Sequence, residues 1–353
     1  MKTQRRTVTQ ILPILLIGGL IAFPSDAFAA ATDAALLWWS RILPTLLPYL
    51  IAVSLLCKSG ILLRIPKRIL PFALFGFGAL GGYPIGAKLA RTLTEHGILT
   101  RKEAERVAIC CDLPNPVFLI SVVSIGFFGS IRCAAPLLIG IYVSALLFSL
   151  PLLRLPYGRV SDGASGLRSG DLPDAIAEGV RSVGMIGGCL VLASVLDSLS
   201  NAVGIPSLLH RLTGIPHAAL RAVLSGLFEM TCGIRSAAGL SGSLPLRLAL
   251  AAFFAQFGGL SVALQIRTQT PVRTAQYFLH RFSAALLSAV LTGLLAHVLI
   301  PESVVPTFAS VPELRDNAIA LFSVSLAAAV GLLFVFVFTA RVSRKSRKNN
   351  ARA

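Results

Sequence analysis

Long apolar runs alternate with short polar segments along almost the whole chain. Apolar runs of about 20 residues, enough to cross a bilayer as a helix, recur between residues 11 and 340. The pattern predicts an all-α polytopic membrane protein with roughly eight transmembrane helices and two re-entrant hairpins. The apolar segments are 11–23, 43–63, 107–120, 131–150, 175–199, 222–238, 244–266, 277–300 and 318–340. Residues 69–90 are too broken for a plain crossing and are interpreted as the first re-entrant hairpin.

Glycine, proline and polar residues interrupt the apolar pattern at four places. These are Gly81-Gly-Tyr-Pro-Ile-Gly-Ala-Lys88, Asp112-Leu-Pro-Asn-Pro116, Ser225-Gly-Leu-Phe-Glu-Met-Thr231 and Gln256-Phe-Gly-Gly-Leu-Ser261. Broken helices persist at membrane depth only where they are packed in protein or line a cavity, and transporters place substrate sites at such breaks. The second hairpin is expected around residues 258–261. We expect it to approach residues 82–86, so that both present backbone N–H groups to one ligand.

The breaks also divide the chain into two halves, each with a glycine-rich broken segment, as inverted repeats have. Residues 1–30 are the first span, with a cleaved signal peptide ending at Ala29 as the alternative. Residues 31–154 form the first half and residues 155–174 a cytoplasmic hinge loop. Residues 175–340 form the second half, and residues 341–353 a basic cytoplasmic tail. Thr100-Arg-Lys-Glu103 fits a capping box, which predicts a helix start at that point.

Composition and charge agree with a membrane protein. Of the 353 residues 55% are hydrophobic and 13% charged, and the mean hydropathy is +0.79, whereas a soluble domain carries about 25% charged residues. The net charge of +17 does not indicate nucleic-acid binding, because the cations flank apolar spans. Their distribution places both termini and the loops around Arg64, Arg168 and Arg341 in the cytoplasm, and Arg132 and Glu313 outside. The basic tail is expected to attract anionic lipid.

No catalytic chemistry is indicated by the sequence. Neither an HExxH nor a GxSxG motif occurs, and the six cysteines form no spaced pair. The cysteines are interpreted as small apolar packing residues. We therefore expect no enzyme, no metal and no cofactor. Whether the chain forms a homo-oligomer is left open.

Candidate substrate-binding residues lie at the breaks. Glu229 is an ionisable group inside a span, which is a functional-site hypothesis; pairing with an arginine is its structural alternative. Lys88 either binds an anion or extends to the membrane surface, and the glycines either face the ligand or permit close packing. The full candidate set is Gly82, Tyr83, Pro84, Gly86, Lys88, Asp112, Asn115, Glu229, Thr231, Gln256, Gly258, Gly259 and Ser261.

Several of these strings carry a resemblance to a known family. They are Leu36-Leu-Trp-Trp39, Leu43-Pro-Thr-Leu-Leu-Pro48, Gly82-Tyr-Pro-Ile-Gly-Ala-Lys88, Thr100-Arg-Lys-Glu-Ala-Glu-Arg106, Asn115-Pro-Val-Phe118, Gly226-Leu-Phe-Glu-Met-Thr231 and Phe257-Gly-Gly-Leu-Ser261. On them the chain resembles the YlbJ (SpoVV) family of sporulation integral membrane proteins, in the nucleoside-transporter Gate domain superfamily. The resemblance implies Gate-like halves and transport of dipicolinate from the mother cell across the outer forespore membrane. Asp112 stands where the family usually has a neutral polar residue.

A dipicolinate site would need positive charge, because this solute is a small planar dianion. Helix N-termini supply roughly half a charge each, so a full cation is expected, and Lys88 is the candidate. Asp112 and Glu229 would repel the anion, so at least one of them should be neutral or paired. Two alternatives remain: transport of another small anion or a nucleoside-like solute, and a non-transporting scaffold for spore assembly.

Overall fold

The computed structural model describes residues 13–157 and 170–300, and these are helical with no strand. The helices are α1 (Pro13–Ala22), α2 (Pro24–Leu37), α3 (Leu43–Lys58), α4 (Leu70–Gly81), α5 (Ile85–Glu95), α6 (Arg101–Cys111), α7 (Ala134–Ser149), α8 (Asp171–Ala202), α9 (Ile205–Thr213), α10 (His217–Phe228), α11 (Met230–Ala238), α12 (Leu244–Phe257), α13 (Gly259–Gln269) and α14 (Thr274–Leu299). Residues Trp38–Ile42 and Phe118–Phe127 are π-helical.

Five helical stretches in the described residues are long and apolar enough to cross a membrane. They are Pro24–Lys58, Ile131–Arg154, Asp171–Ala202, Leu244–Gln269 and Thr274–Leu299. An all-helical chain with several apolar spans is thereby confirmed, while the number of eight crossings stays a prediction. The expected span 318–340, the basic tail 341–353 and residues 158–169 of the hinge loop lie outside the described residues.

The N-terminal part of the chain differs from the predicted division at residue 30. Residues 24–58 form one helical run of 35 residues, about 50 Å long at 1.5 Å per residue. Pro24 is the first residue of α2, a position where its missing N–H costs nothing. It therefore starts a helix instead of closing a span, and the predicted boundary between residues 30 and 31 falls inside α2.

This long run lies antiparallel to α8. The indole Nε1 of Trp38 donates to the Val183 carbonyl over 2.9 Å. At one end the Ser198 hydroxyl donates to the Asp26 carbonyl over 3.1 Å. At the other end Lys58 lies 3.7 Å from a carboxylate oxygen of Asp174. Lys58 and the start of α8 are therefore at the same end of the molecule.

The two larger of the three apolar cores in the described residues occupy opposite ends of the helix bundle. One contains the first hairpin together with Leu152 and Tyr157, which follow α7. The other contains Cys133 and Leu137, at the start of α7, and Ile300, which follows α14. Arg132 is therefore at the opposite end of the bundle from residues 58–68, as the charge pattern predicts.

The first hairpin forms as the sequence predicts. Helices α4 and α5 pack against each other, joined by a turn in which Gly82 has a φ of +71°. A β-carbon on Gly78 or on Gly86 would overlap the Cys111 carbonyl group, so these glycines let the hairpin touch the end of α6. The predicted capping box also forms at the start of α6, where Thr100 N donates to Glu103 over 2.7 Å.

The second hairpin is not where the sequence predicts it. Helix α13 leaves α12 at Gly258 and packs against α5, α8, α10 and α11. The fold-back occurs instead at Glu229, between α10 and α11, where a β-carbon on Gly233 would overlap Gly226. Glu229 has extended backbone and its carboxylate caps α11, so a buried acidic residue ends one helix and starts the next.

Candidate functional site

The breaks of the two halves meet inside the protein. The Tyr83 hydroxyl, at the tip of the first hairpin, donates to the Ala255 carbonyl near the end of α12 over 2.9 Å. The Thr270 hydroxyl, just after α13, donates to the Ala87 carbonyl over 2.9 Å. The tip of the first hairpin therefore contacts α12 three residues before Gly258, while the predicted approach to residues 258–261 at the bilayer midplane stays a prediction. Whether the two segments share a ligand stays a prediction.

Arg281 lies at this meeting point and is fully buried in α14. Its guanidinium donates to the Asp112 carbonyl over 2.6 Å and to the Tyr83 hydroxyl. It also lies over the Tyr83 ring, 5.1 Å from the centroid. The sequence-based candidate set omitted Arg281. The signal was present, because an arginine inside an apolar span meets the same criterion that selected Glu229.

Asp112 and Glu229 both lie at helix N-termini. Asp112 Oδ1 accepts from the Gly86 N–H over 3.1 Å, at the start of α5. Glu229 accepts from the Cys232 N–H over 2.9 Å and from the Thr231 hydroxyl over 3.2 Å. Both side chains are buried. Asp112 therefore occupies the helix end at residues 82–86 that was expected to face the solute, whereas Glu229 occupies the start of α11. Among the described residues Glu229 has no arginine partner.

The remaining candidates at the breaks are also inside the packing. Asn115 Oδ1 accepts from the Phe118 N–H over 2.6 Å and caps the helix that follows. Gly258 and Gly259 have φ values of +80° and +71° and form the bend between α12 and α13. Gln256 and Ser261 are buried, and within the described part of the chain Gln256 Oε1 and the Ser261 hydroxyl have no hydrogen-bond partner.

A cavity of about 490 Å³ lies beside the first hairpin, among α3, α5 and α8. Of the thirteen predicted site residues, Pro84 and Lys88 line it. Its charged lining residues comprise four cations, two carboxylates and one histidine: Lys58, Lys88, Arg91, Arg181, Glu95, Glu178 and His96. The cavity therefore carries an excess of positive charge.

The side chain of Lys88 is bonded to neighbouring side chains in this cavity. Its ammonium donates to the carboxylate of Glu178, on α8, and to the Ser54 hydroxyl over 3.2 Å. Glu178 also accepts from Ser54 and lies 3.3 Å from the ammonium of Lys58. Sequence reasoning missed Glu178 because it lies in the polar first turns of α8, where acidic residues are common at a helix start.

Comparisons with known proteins agree with this picture of a membrane protein. No protein-family model and no solved structure matches the chain. Over 328 residues it is 26% identical to the sporulation integral membrane protein YlbJ of Bacillus subtilis strain 168. The chain is similar to a sporulation membrane protein. The similarity to YlbJ covers 80% of each chain, so it includes both halves. It supports the YlbJ family and a role in sporulation, and the Gate domain superfamily stays a prediction.

Proposed function

We propose that the protein transports a small organic anion across a membrane during spore formation, and that the anion is dipicolinate. Three observations support the proposal: the apolar spans, the similarity to a sporulation integral membrane protein and the cavity beside the first hairpin. The proposed activity is transport and not catalysis.

The cavity is the observation that carries the proposal. Its volume of about 490 Å³ lies within the range of small-molecule sites. Its four cations exceed its two carboxylates, and a net positive charge on the lining of a cleft raises the local concentration of anions. Lys88, the cation expected from the sequence, is on its wall. A small dianion matches both the size and the charge of this space.

The contacts behind the cavity suggest how passage would be controlled. Pro84 and Ile85 line the cavity, while Tyr83 is buried and bonded to Ala255 and Arg281. A solute entering from the Lys88 side would meet this closed contact. We propose that the first hairpin must separate from α12 and α14 before the solute passes, so that the cavity opens to one side at a time.

Uptake of labelled dipicolinate into liposomes containing the full chain tests the proposal. Lys88→Gln should lower the initial rate about tenfold, because a hydrogen bond to a charged group contributes about 1.5–3 kcal/mol. The control is Lys102→Gln, which removes the same charge from an exposed position on α6 outside the cavity lining and should transport normally. Equal uptake by the wild type and Lys88→Gln would contradict the role of Lys88. No uptake above that of empty liposomes by the wild type would contradict the function.

The dipicolinate content and the layers of spores from a variant strain test the scaffold alternative. A strain carrying Lys88→Gln at normal protein abundance should form spores with little dipicolinate and normal layers. Normal dipicolinate together with misassembled spore layers would instead support a scaffold.

A further inference from the structure

We infer that Glu178 is an internal competitor for the transported anion: its carboxylate occupies the place on Lys88 that a carboxylate of the solute takes. The inference rests on the proposed function, since it assumes that an anion binds in the cavity beside the first hairpin. It adds a residue that sets the affinity of that site.

The groups around Glu178 are those that a carboxylate solute requires. Two ammonium groups, Lys88 on α5 and Lys58 on α3, and the Ser54 hydroxyl on α3 surround its carboxylate. All four residues line the cavity. A solute carboxylate placed there would receive the same donors, and it could do so only after Glu178 had moved away.

The partial exposure of the Lys88 and Glu178 side chains allows a solute carboxylate to replace Glu178. The side chains of Lys88 and Glu178 are 24% and 39% exposed, so water can solvate both partners once they separate. Water therefore screens this ion pair, and a solute carboxylate that receives the same donors can replace Glu178. Asp112 and Glu229 are buried, and separating them from their partners would leave a charged group without water or a hydrogen bond.

A solute with two carboxylates has an advantage over Glu178. Arg181 lies one turn after Glu178 on α8 and lines the same cavity, and it has no ion-pair partner among the described residues. The dianion can therefore contact Lys88 with one carboxylate and a free cation with the other. Glu178 has a single carboxylate and, of these two contacts, can make only the contact with Lys88.

Titration of the purified full chain in detergent with dipicolinate, followed by calorimetry, tests the inference. Glu178→Gln should bind dipicolinate about fivefold more tightly than the wild type, which is the release of a partly exposed ion pair expressed as a change in Kd. Asp33→Asn is the charge-matched control. It removes a carboxylate from an exposed position on α2 outside the cavity lining. Its Kd should change less than twofold.

Two further variants separate competition from misfolding. Lys88→Gln should weaken binding about tenfold, and Lys88→Gln combined with Glu178→Gln should bind more weakly than Glu178→Gln alone, because only Lys58 is then left to release. Binding by Glu178→Gln alone, with none by the wild type, would also support competition.

Other outcomes overturn the inference. If the wild type binds dipicolinate and Glu178→Gln binds equally or more weakly while eluting as a folded protein, competition by Glu178 is wrong and the proposed function stands. If Asp33→Asn tightens binding as much as Glu178→Gln does, the effect is one of net charge and the specific competition is wrong. If neither the wild type nor Glu178→Gln binds dipicolinate, both the inference and the proposed solute are wrong.

Discussion

Arg281 is the largest of the fully buried side chains in the described residues, and its surroundings determine what Asp112 does. The guanidinium is bonded to the Asp112 carbonyl and to Tyr83, and the Asp112 carboxylate is near enough to act on it electrostatically. From the sequence, Asp112→Asn should be harmless, because it restores the neutral group that the family usually has. The structure changes that expectation, since the substitution would remove a carboxylate that acts electrostatically on a buried cation.

We therefore expect Asp112→Asn to lower the free energy of unfolding by about 1–3 kcal/mol, the usual cost of an uncompensated buried polar group. The measurement is the midpoint of thermal unfolding of the purified protein in detergent. The double variant Asp112→Asn, Arg281→Gln should lose less than the sum of the two single variants, since residues in one network are coupled. Strict additivity, or a melting midpoint of Asp112→Asn equal to that of the wild type, would show that the two charges do not interact.

The first hairpin depends on glycines at particular positions of α4. Gly78 faces the Cys111 carbonyl group so closely that no β-carbon fits, whereas Gly76, two residues earlier, has no atom within 4 Å of where its β-carbon would lie. The two residues share one helix and differ only in what they face. Close packing by small residues in membranes is thus the structural role of Gly78, as it is of Gly86.

These neighbours form a matched pair for a stability test. Gly78→Ala should destabilise the protein by about 1–3 kcal/mol, the usual cost of overpacking. Gly76→Ala should be neutral or stabilise it by up to about 1 kcal/mol, because alanine is the better helix former. Thermal unfolding in detergent measures both. A larger loss for Gly76→Ala than for Gly78→Ala would be incompatible with the packing of α4 on the end of α6.

The two ends of the helix bundle differ in the charged residues that they carry, and only one of them contains the cavity described above. The end with the first hairpin contains Lys58, the start of α8 and the cavity. The opposite end contains Arg132 and Ile300. Because loops rich in Lys and Arg stay in the cytoplasm, the cavity is expected to open toward the cytoplasm.

Labelling of single added cysteines with a membrane-impermeant maleimide tests this orientation. Lys67→Cys and Arg132→Cys both replace exposed side chains. In intact cells the reagent should label Arg132→Cys, and it should label Lys67→Cys only after the membrane is opened. The parent protein, with its six native cysteines, gives the background. Labelling of both positions from the same side would refute the topology.

Local features of the sequence predicted most of the elements. The apolar runs predicted helices, because each backbone group in lipid must be bonded within its own segment. Thr100 and Glu103 predicted the start of α6, since a capping box involves only four consecutive residues. Gly82 and Asp112 marked real breaks. In each case the cause lies within a few residues of its effect.

Contacts between distant segments were decided by the tertiary structure alone. Lys88 and Glu178 are 90 residues apart, and Tyr83 and Arg281 are 198 residues apart, so no local pattern could pair them. The position of the second hairpin was also missed, because a pair of glycines bends a chain but only packing decides whether the chain folds back. By itself the sequence determined the membrane environment, the helices and the positions of the breaks. Tertiary structure decided which charges are neutralised by partners and which line the cavity, because the free energy of a charge depends on what surrounds it in space.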